Sequence, residues 1–205
     1  MSYNVSQIVY TDGFEKEDGV PIPYERPVKL SKKHIKNTKL LLDRIEILHL
    51  LPKNGIIAEI GVAGGTFSEK ILKICNPYKL YLIQKGDCLH LKKKFKDYIE
   101  KGIVTILAEN SLTAHRHLKD NSFDYIYIDA DHSYKGVKSD ITNYHKKLKK
   151  NAWFGFNDYI FYSYVEKQVY GVMHAVNEFC NNNNWEILYR TITTHTYDDI
   201  VLKKL

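Results

Sequence analysis

Cysteine is scarce in this chain: Cys75, Cys88 and Cys180 are an odd, scattered set without CxxC spacing. That excludes a disulfide framework and a cysteine-based zinc site, and leaves three small buried hydrophobes suited to a reducing compartment. Apolar residues never run on for the roughly 20 positions that a bilayer span requires. The opening MSYNVSQIVYTDGFEKEDG lacks a basic start followed by an apolar core, so no secretory signal is read and the expected location is cytoplasmic. There are no internal repeats, and the only low-complexity stretch, Asn181–Asn184, reads as a loop.

What is present is ordinary for one globular domain: 205 residues, 44% hydrophobic and 26% charged. The net charge of +6 is concentrated in residues 29–39, 90–96 and 145–150, all on predicted helices. Solvated helix faces are the simplest account. Attraction to something anionic (nucleic acid, a phosphorylated sugar carrier or a membrane surface) is the alternative, and charge alone does not choose.

Residues 1–28, with Gly13, Gly19, Pro21, Pro23 and Pro27, read as an irregular lead-in to one domain over 29–205. Ile35, Leu40, Leu41, Ile45 and Leu48 recur at helical spacing, which predicts a helix from Ser31 to His49 with Ser31 as its cap. Strands are then predicted over 56–62, 79–84, 102–109, 123–130 and 153–158. Helices over 68–75, 89–100, 112–119, 135–149 and roughly 164–182 separate and follow them. Two β-rich runs, 185–192 and 198–203, close the chain. This rhythm predicts a doubly wound α/β fold, a mostly parallel seven-stranded sheet ending in an antiparallel hairpin.

Ligands in such sheets bind beyond the carboxyl ends of the strands. The first strand-to-helix loop reads Glu59-Ile60-Gly61-Val62-Ala63-Gly64-Gly65-Thr66-Phe67-Ser68. Its glycines permit close approach of a ligand to the backbone, and the helix beginning near Ser68 aims free amides at the loop. The pattern is not the GxGxxG of a dinucleotide site, and Glu59 would repel a diphosphate. Glu59 suits a ligand with a cationic, amino-acid-like end.

A second constellation lies further on. Asp129, Asp131 and His132 fall at the end of the fourth strand, and Asn157 and Asp158 at the end of the fifth. If neighbouring strands end together, these groups face each other, and oxygen ligands from two loops suit a hard divalent cation such as magnesium. Helix capping alone does not explain acids on two successive strand ends.

The first loop resembles the E-x-G-x-x-x-G motif of class I S-adenosylmethionine (SAM) dependent methyltransferases. FDYIYIDADHSYKGVKSDI…NAWFGFNDY resembles the IDADHSYEG…GGHDY signature of a small family similar to metal-dependent sugar and catechol-type O-methyltransferases. The resemblance covers about residues 40–205 and implies a Rossmann-like methyltransferase fold. It implies magnesium ligands at Asp129, Asn157 and Asp158, and a general base at Asp131 or His132. Of these two, His132 is preferred, because an imidazole titrates near neutral pH. Implied cofactor contacts are Glu59, Gly61, Gly65, Thr66, Phe67 and Ser68, then Gln84, Asn110, Ser111 and Asp129. The implied reaction is transfer of a methyl group to a sugar hydroxyl, on a glycan or a sugar-containing small molecule, and Tyr159–Tyr164 supply an aromatic wall for it.

The sequence departs from the family at Gln84, where an acid usually binds both ribose hydroxyls; Asp87 is the alternative. Glu109 is second to Asn110 beside the adenine. Two other functions compete: a nucleic-acid methyltransferase, which the positive charge invites, and a degenerate SAM-binding domain without activity. Against the first, the [DNS]-P-P-[FYW] motif of amino-directed base methylation does not follow the fourth strand. The expected partner is therefore a small-molecule or glycan acceptor rather than nucleic acid, with monomer or homo-oligomer left open.

Overall fold

A computed structural model describes residues 27–205 and, before them, a two-residue strand pair at Tyr10–Thr11 and Gly13–Phe14. Most of the lead-in expected over 1–28 lies outside the described residues. The central sheet uses eight strands: β1 (Lys39–Leu41), β2 (Ile56–Ile60), β3 (Lys79–Ile83), β4 (Val104–Leu107), β5 (Phe123–Ile128), β6 (Leu148–Phe156), β9 (Trp185–Thr191) and β10 (Ile200–Lys204). Between β6 and β9 a small separate hairpin pairs β7 (Tyr162–Ser163) with β8 (Gln168–Val169). The helices are α1 (Arg44–Leu50), α2 (Thr66–Cys75), α3 (Leu89–Lys94), α4 (Lys96–Glu100), α5 (Ser111–Ala114), α6 (Tyr134–Tyr144) and α7 (Val172–Asn183).

Strand order across the sheet is β1-β9-β10-β6-β5-β2-β3-β4. The run β6-β5-β2-β3-β4 is parallel throughout, and β10 is antiparallel to both neighbours. This is the doubly wound sheet with a C-terminal antiparallel hairpin that the strand–helix rhythm predicts. The eighth strand comes from the segment read as helix. Ser31–His49 divides into a 3₁₀ turn (Lys32–His34), β1 and α1. His34 Nδ1 donates to the Trp185 carbonyl at 2.6 Å, Asn37 Nδ2 to Glu186 at 2.8 Å and Thr38 Oγ1 to the Ile187 carbonyl at 2.7 Å. Those bonds lay Lys39–Leu41 parallel to Tyr189–Thr191, and long-range pairing overrides local periodicity. The helix starts only at Arg44, where the Asp43 carboxylate accepts from the amides of Ile45 and Glu46. The helix predicted over 164–182 is also shortened: its first residues supply the turn and second strand of the β7–β8 hairpin, and α7 begins after Gly171.

Two hydrophobic layers cover the sheet. Alternation along β5 sends Tyr125 and Tyr127 to the layer holding α1 and α2, and Ile126 and Ile128 to the layer holding α6 and α7. Cys75, Cys88 and Cys180 are free and buried in these layers. Among the described residues no helix is long and apolar enough to cross a membrane.

The register decides where function sits. Ile60 pairs with Ile83 and Ile128, and Ile128 pairs with Phe156. The row continues one residue further: Gly61 N donates to Ile83 O, Asp129 N to Ile60 O and Asn157 N to Ile128 O, at 2.7–2.9 Å. Four strands therefore end level, and their next residues stand side by side.

Candidate active site

Gly61 begins the glycine loop with φ of +87°, and a Cβ there would lie 1.9 Å from the Asp129 carbonyl oxygen. No other residue fits, so the loop is pressed against the tip of β5. Gly65, at φ +73°, caps α2, and a Cβ on it would meet Phe95 at 2.8 Å. Thr66, Phe67 and Ser68 form the first turn of that helix; Phe67 and Ser68 are buried.

Glu59 is turned inward. It is only 2% exposed, and its carboxyl accepts from Ser68 Oγ at 2.5 Å. Burial pushes it up to about 8, against the opposing hydrogen bond from Ser68, so it is largely neutral near pH 7. The expected charge at the amino-acid end of the cofactor is thus muted at this residue.

Gln84 explains its own departure from the family pattern. Its Oε1 accepts from Val62 N at 2.8 Å and Ala63 N at 3.0 Å, tying the tip of β3 to the glycine loop. Asp87 does not reach back: its carboxylate accepts from Leu89 N at the start of α3. On the adenine side Asn110 caps α5 by accepting from Leu112 N at 3.0 Å. Glu109 is held by Thr113 and His117, and the Ser111 carbonyl accepts from Tyr144.

At the tips of β5 and β6 the structure gathers Asp129, His132 and Asp158. His132 Nε2 lies 3.7 Å from Asp129 Oδ1 and 3.9 Å from Asp158 Oδ2. That nitrogen is buried and without a hydrogen-bond partner among the described residues, although the side chain as a whole is 18% exposed. Asp158 adopts φ +52°, a left-handed conformation that aspartate tolerates and that clusters at functional sites.

Asp131 is not part of this group. Its exposed carboxylate accepts from Ser133 N at 2.9 Å and packs against Gly136, so it braces the start of α6. Asn157 does lie at the site, but its Nδ2 donates to Asp199 Oδ1 at 2.9 Å. The pairing of Ile200 with Phe156 brings Asp199 there. Among the described residues no three His, Cys, Asp or Glu side chains are grouped to hold a metal ion. The expected set contains two carboxylates and one amide.

Four neighbours escaped sequence reasoning. Asp199, 3% exposed, also accepts from Tyr127 OH at 3.1 Å. Arg44 Nη1 donates to Tyr127 OH at 3.1 Å and lies 3.7 Å from Asp129 Oδ2. Tyr170 stacks on His132. Only Asp199 left a signal, an acid pair at the entrance of an apolar strand. Burial, with repulsion from Asp158 and Asp199 opposed by Arg44, pushes Asp129 up to about 7. Burial likewise raises Asp158, against the pull of His132, and pushes Asp199 up to about 6.

Residues 58–159 match the model of a family described as a methyltransferase domain. Among solved structures, the 1,6-didemethyltoxoflavin-N1-methyltransferase of Burkholderia thailandensis, with S-adenosylhomocysteine bound, is 12% identical with a TM-score of 0.59, over 78% of this chain and 76% of that one. The tRNA methyltransferase TrmK of B. subtilis is 14% identical with a TM-score of 0.58, over 80% and 67%. A protein of Corynebacterium glutamicum is 16% identical with a TM-score of 0.58, over 78% and 77%. At these identities the likeness shows the fold. No curated protein matches the sequence. The matched segment spans both the glycine loop and the β5–β6 tips. The matched domain and the shared fold together support a SAM-dependent methyltransferase.

Proposed function

We propose that this chain is an O-methyltransferase that moves a methyl group from SAM to a hydroxyl of a sugar or sugar-containing small molecule, with a divalent cation at the strand tips. The observation that carries the reading is the unpartnered Nε2 of His132, buried between Asp129 and Asp158. A ring nitrogen so placed is a proton acceptor, and two carboxylates stabilise the imidazolium that forms. A hydroxyl is a weak nucleophile, and removal of its proton is the step that needs this help. Methyl transfer is then an in-line displacement at the sulfonium, governed by positioning.

The donor chemistry fits a hard cation. Asp129 and Asp158 offer carboxylate oxygens, and Asn157, its Nδ2 held by Asp199, keeps an amide oxygen to offer. Such an ion supplies Lewis-acid stabilisation of negative charge developing on the acceptor. Asp129 and Asp158 would hold it, Asn157 would complete the set, and His132 would take the proton beside it. The exposed rings of Tyr162 and Tyr164, on the hairpin that follows Asp158, give a wall on which a sugar face or a flat phenol stacks.

The competing reading is a nucleic-acid methyltransferase, favoured by the net charge of +6. Within the basic segments, however, Lys94 is paired with Glu69, Lys147 with Asp120 and Lys149 with Asp124. Calorimetric titration with SAM, with and without magnesium, followed by a screen of hydroxylated acceptors, tests the proposal. SAM binding together with magnesium-stimulated methylation of a sugar is expected. Salt-sensitive binding and methylation of RNA would support the competitor, and absence of SAM binding a domain without activity.

A further inference from the structure

Arg44 is the first residue of α1, outside every element that sequence reasoning assigned to the site. Its guanidinium lies over the ring of Phe67, 4.7 Å from the centroid, and Phe67 belongs to the first turn after the glycine loop. It touches Tyr127, whose ring is 4.7 Å from that of Phe67. It also faces Asp129, whose carbonyl oxygen backs onto Gly61. The corner where glycine loop, β5 tip and α1 meet is therefore headed by a cation.

That cation is under-used. The bond to Tyr127 engages one N–H, and Asp129 Oδ2 at 3.7 Å is beyond hydrogen-bond reach. The remaining donors of the fork have no hydrogen-bond partner among the described residues, and the side chain keeps 39% exposure. A planar fork fixed on an aromatic face and open on its other edge matches a carboxylate. On the proposed reading, the cofactor brings one to this corner. Its methionyl end is a zwitterion, and both charges require partners when they leave water. Asp129 supplies the negative partner, since Glu59 is closed off by Ser68.

We infer that Arg44 anchors the carboxylate of the methionyl end of SAM and so selects for a cofactor that carries it. The inference rests on the methyltransferase reading of the glycine loop. An anionic group on the acceptor has the same chemistry, and binding measured without acceptor separates the two sources.

The test is titration of the wild-type protein, Arg44→Met and Arg44→Lys with SAM and with decarboxylated SAM, in the absence of acceptor. Wild type should prefer SAM by roughly 10- to 100-fold, the range of a charge-assisted hydrogen-bonded pair. Arg44→Met should bring that ratio close to one mainly by weakening SAM, and Arg44→Lys should keep part of it. Equal preference in wild type and Arg44→Met overturns the inference. So does equal weakening of both ligands by Arg44→Met, which would make Arg44 only a counter-ion for Asp129 and Asp199. Unchanged SAM affinity with a raised acceptor KM also overturns it, by moving the anion to the acceptor. Binding of neither ligand to wild type would overturn the cofactor site itself along with this assignment.

Discussion

The imidazole of His132 and the ring of Tyr170 lie nearly parallel, 9° apart in plane with centroids 4.6 Å apart. Tyr170 is 4% exposed, and the next residue, Gly171, donates its amide to the His132 carbonyl at 2.7 Å. The start of α7 thus holds both the backbone and the ring of the proposed base. Removing the stack should misorient the ring without touching the cofactor loop. For Tyr170→Leu we expect kcat to fall on the order of tenfold with SAM affinity unchanged, whereas Tyr170→Phe keeps the stack and stays near wild type. Steady-state kinetics on both variants checks this.

Two glycines in one loop should behave oppositely. At Gly61 a side chain would collide with the β5 backbone and must also adopt φ +87°, while a Cβ at Gly64 meets nothing within 4 Å. Gly61→Ala should destabilise the fold by about 3 kcal/mol or more and abolish SAM binding; Gly64→Ala should change stability by less than about 1 kcal/mol. Denaturant unfolding of both variants, with a SAM titration of each folded protein, measures the contrast.

The crowded carboxyls predict an unusual pH dependence. Glu59, Asp129 and Asp199 are pushed up to about 8, 7 and 6, chiefly by burial. In the unfolded chain carboxyls titrate near 4. Between about pH 4 and 8 the folded state therefore holds more protons than the unfolded one, and stability falls as pH rises through that window. Glu59→Gln, which keeps a partner for Ser68, should flatten the upper part of the fall. A cation between Asp129 and Asp158 favours their charged forms, so magnesium should raise Tm more at pH 8 than at pH 5. Melting curves across pH, with and without the ion, check both effects; a magnesium effect independent of pH would contradict the placement.

The strand tips were legible because each central parallel strand is a short apolar run ending in glycine, acid or amide, as in IIAEIG and FDYIYIDADH. What failed was whatever distant pairing decides. Lys39–Leu41 has helical spacing but finds a strand edge about 150 residues away. Between Asp131 and His132 the sequence favours His132 on the chemistry of its side chain alone, not on where either side chain points. The amide of Ser133 captures Asp131 in a local turn, whereas the stack that holds His132 comes from Tyr170, 38 residues further on, and has no local signature. Arg44 enters on α1, ahead of the glycine loop, and Asp199 just before β10, the antiparallel neighbour of β6, so no motif near the loop announces them.

His132 acting as proton acceptor between two strand-tip carboxylates is tested most directly by transfer of a labelled methyl group. The comparison is wild type against His132→Gln on hydroxylated acceptors, with magnesium and saturating SAM. The account predicts a loss of about 10²- to 10⁴-fold in kcat with SAM affinity retained. Undiminished transfer by His132→Gln, or label entering only RNA, would contradict it.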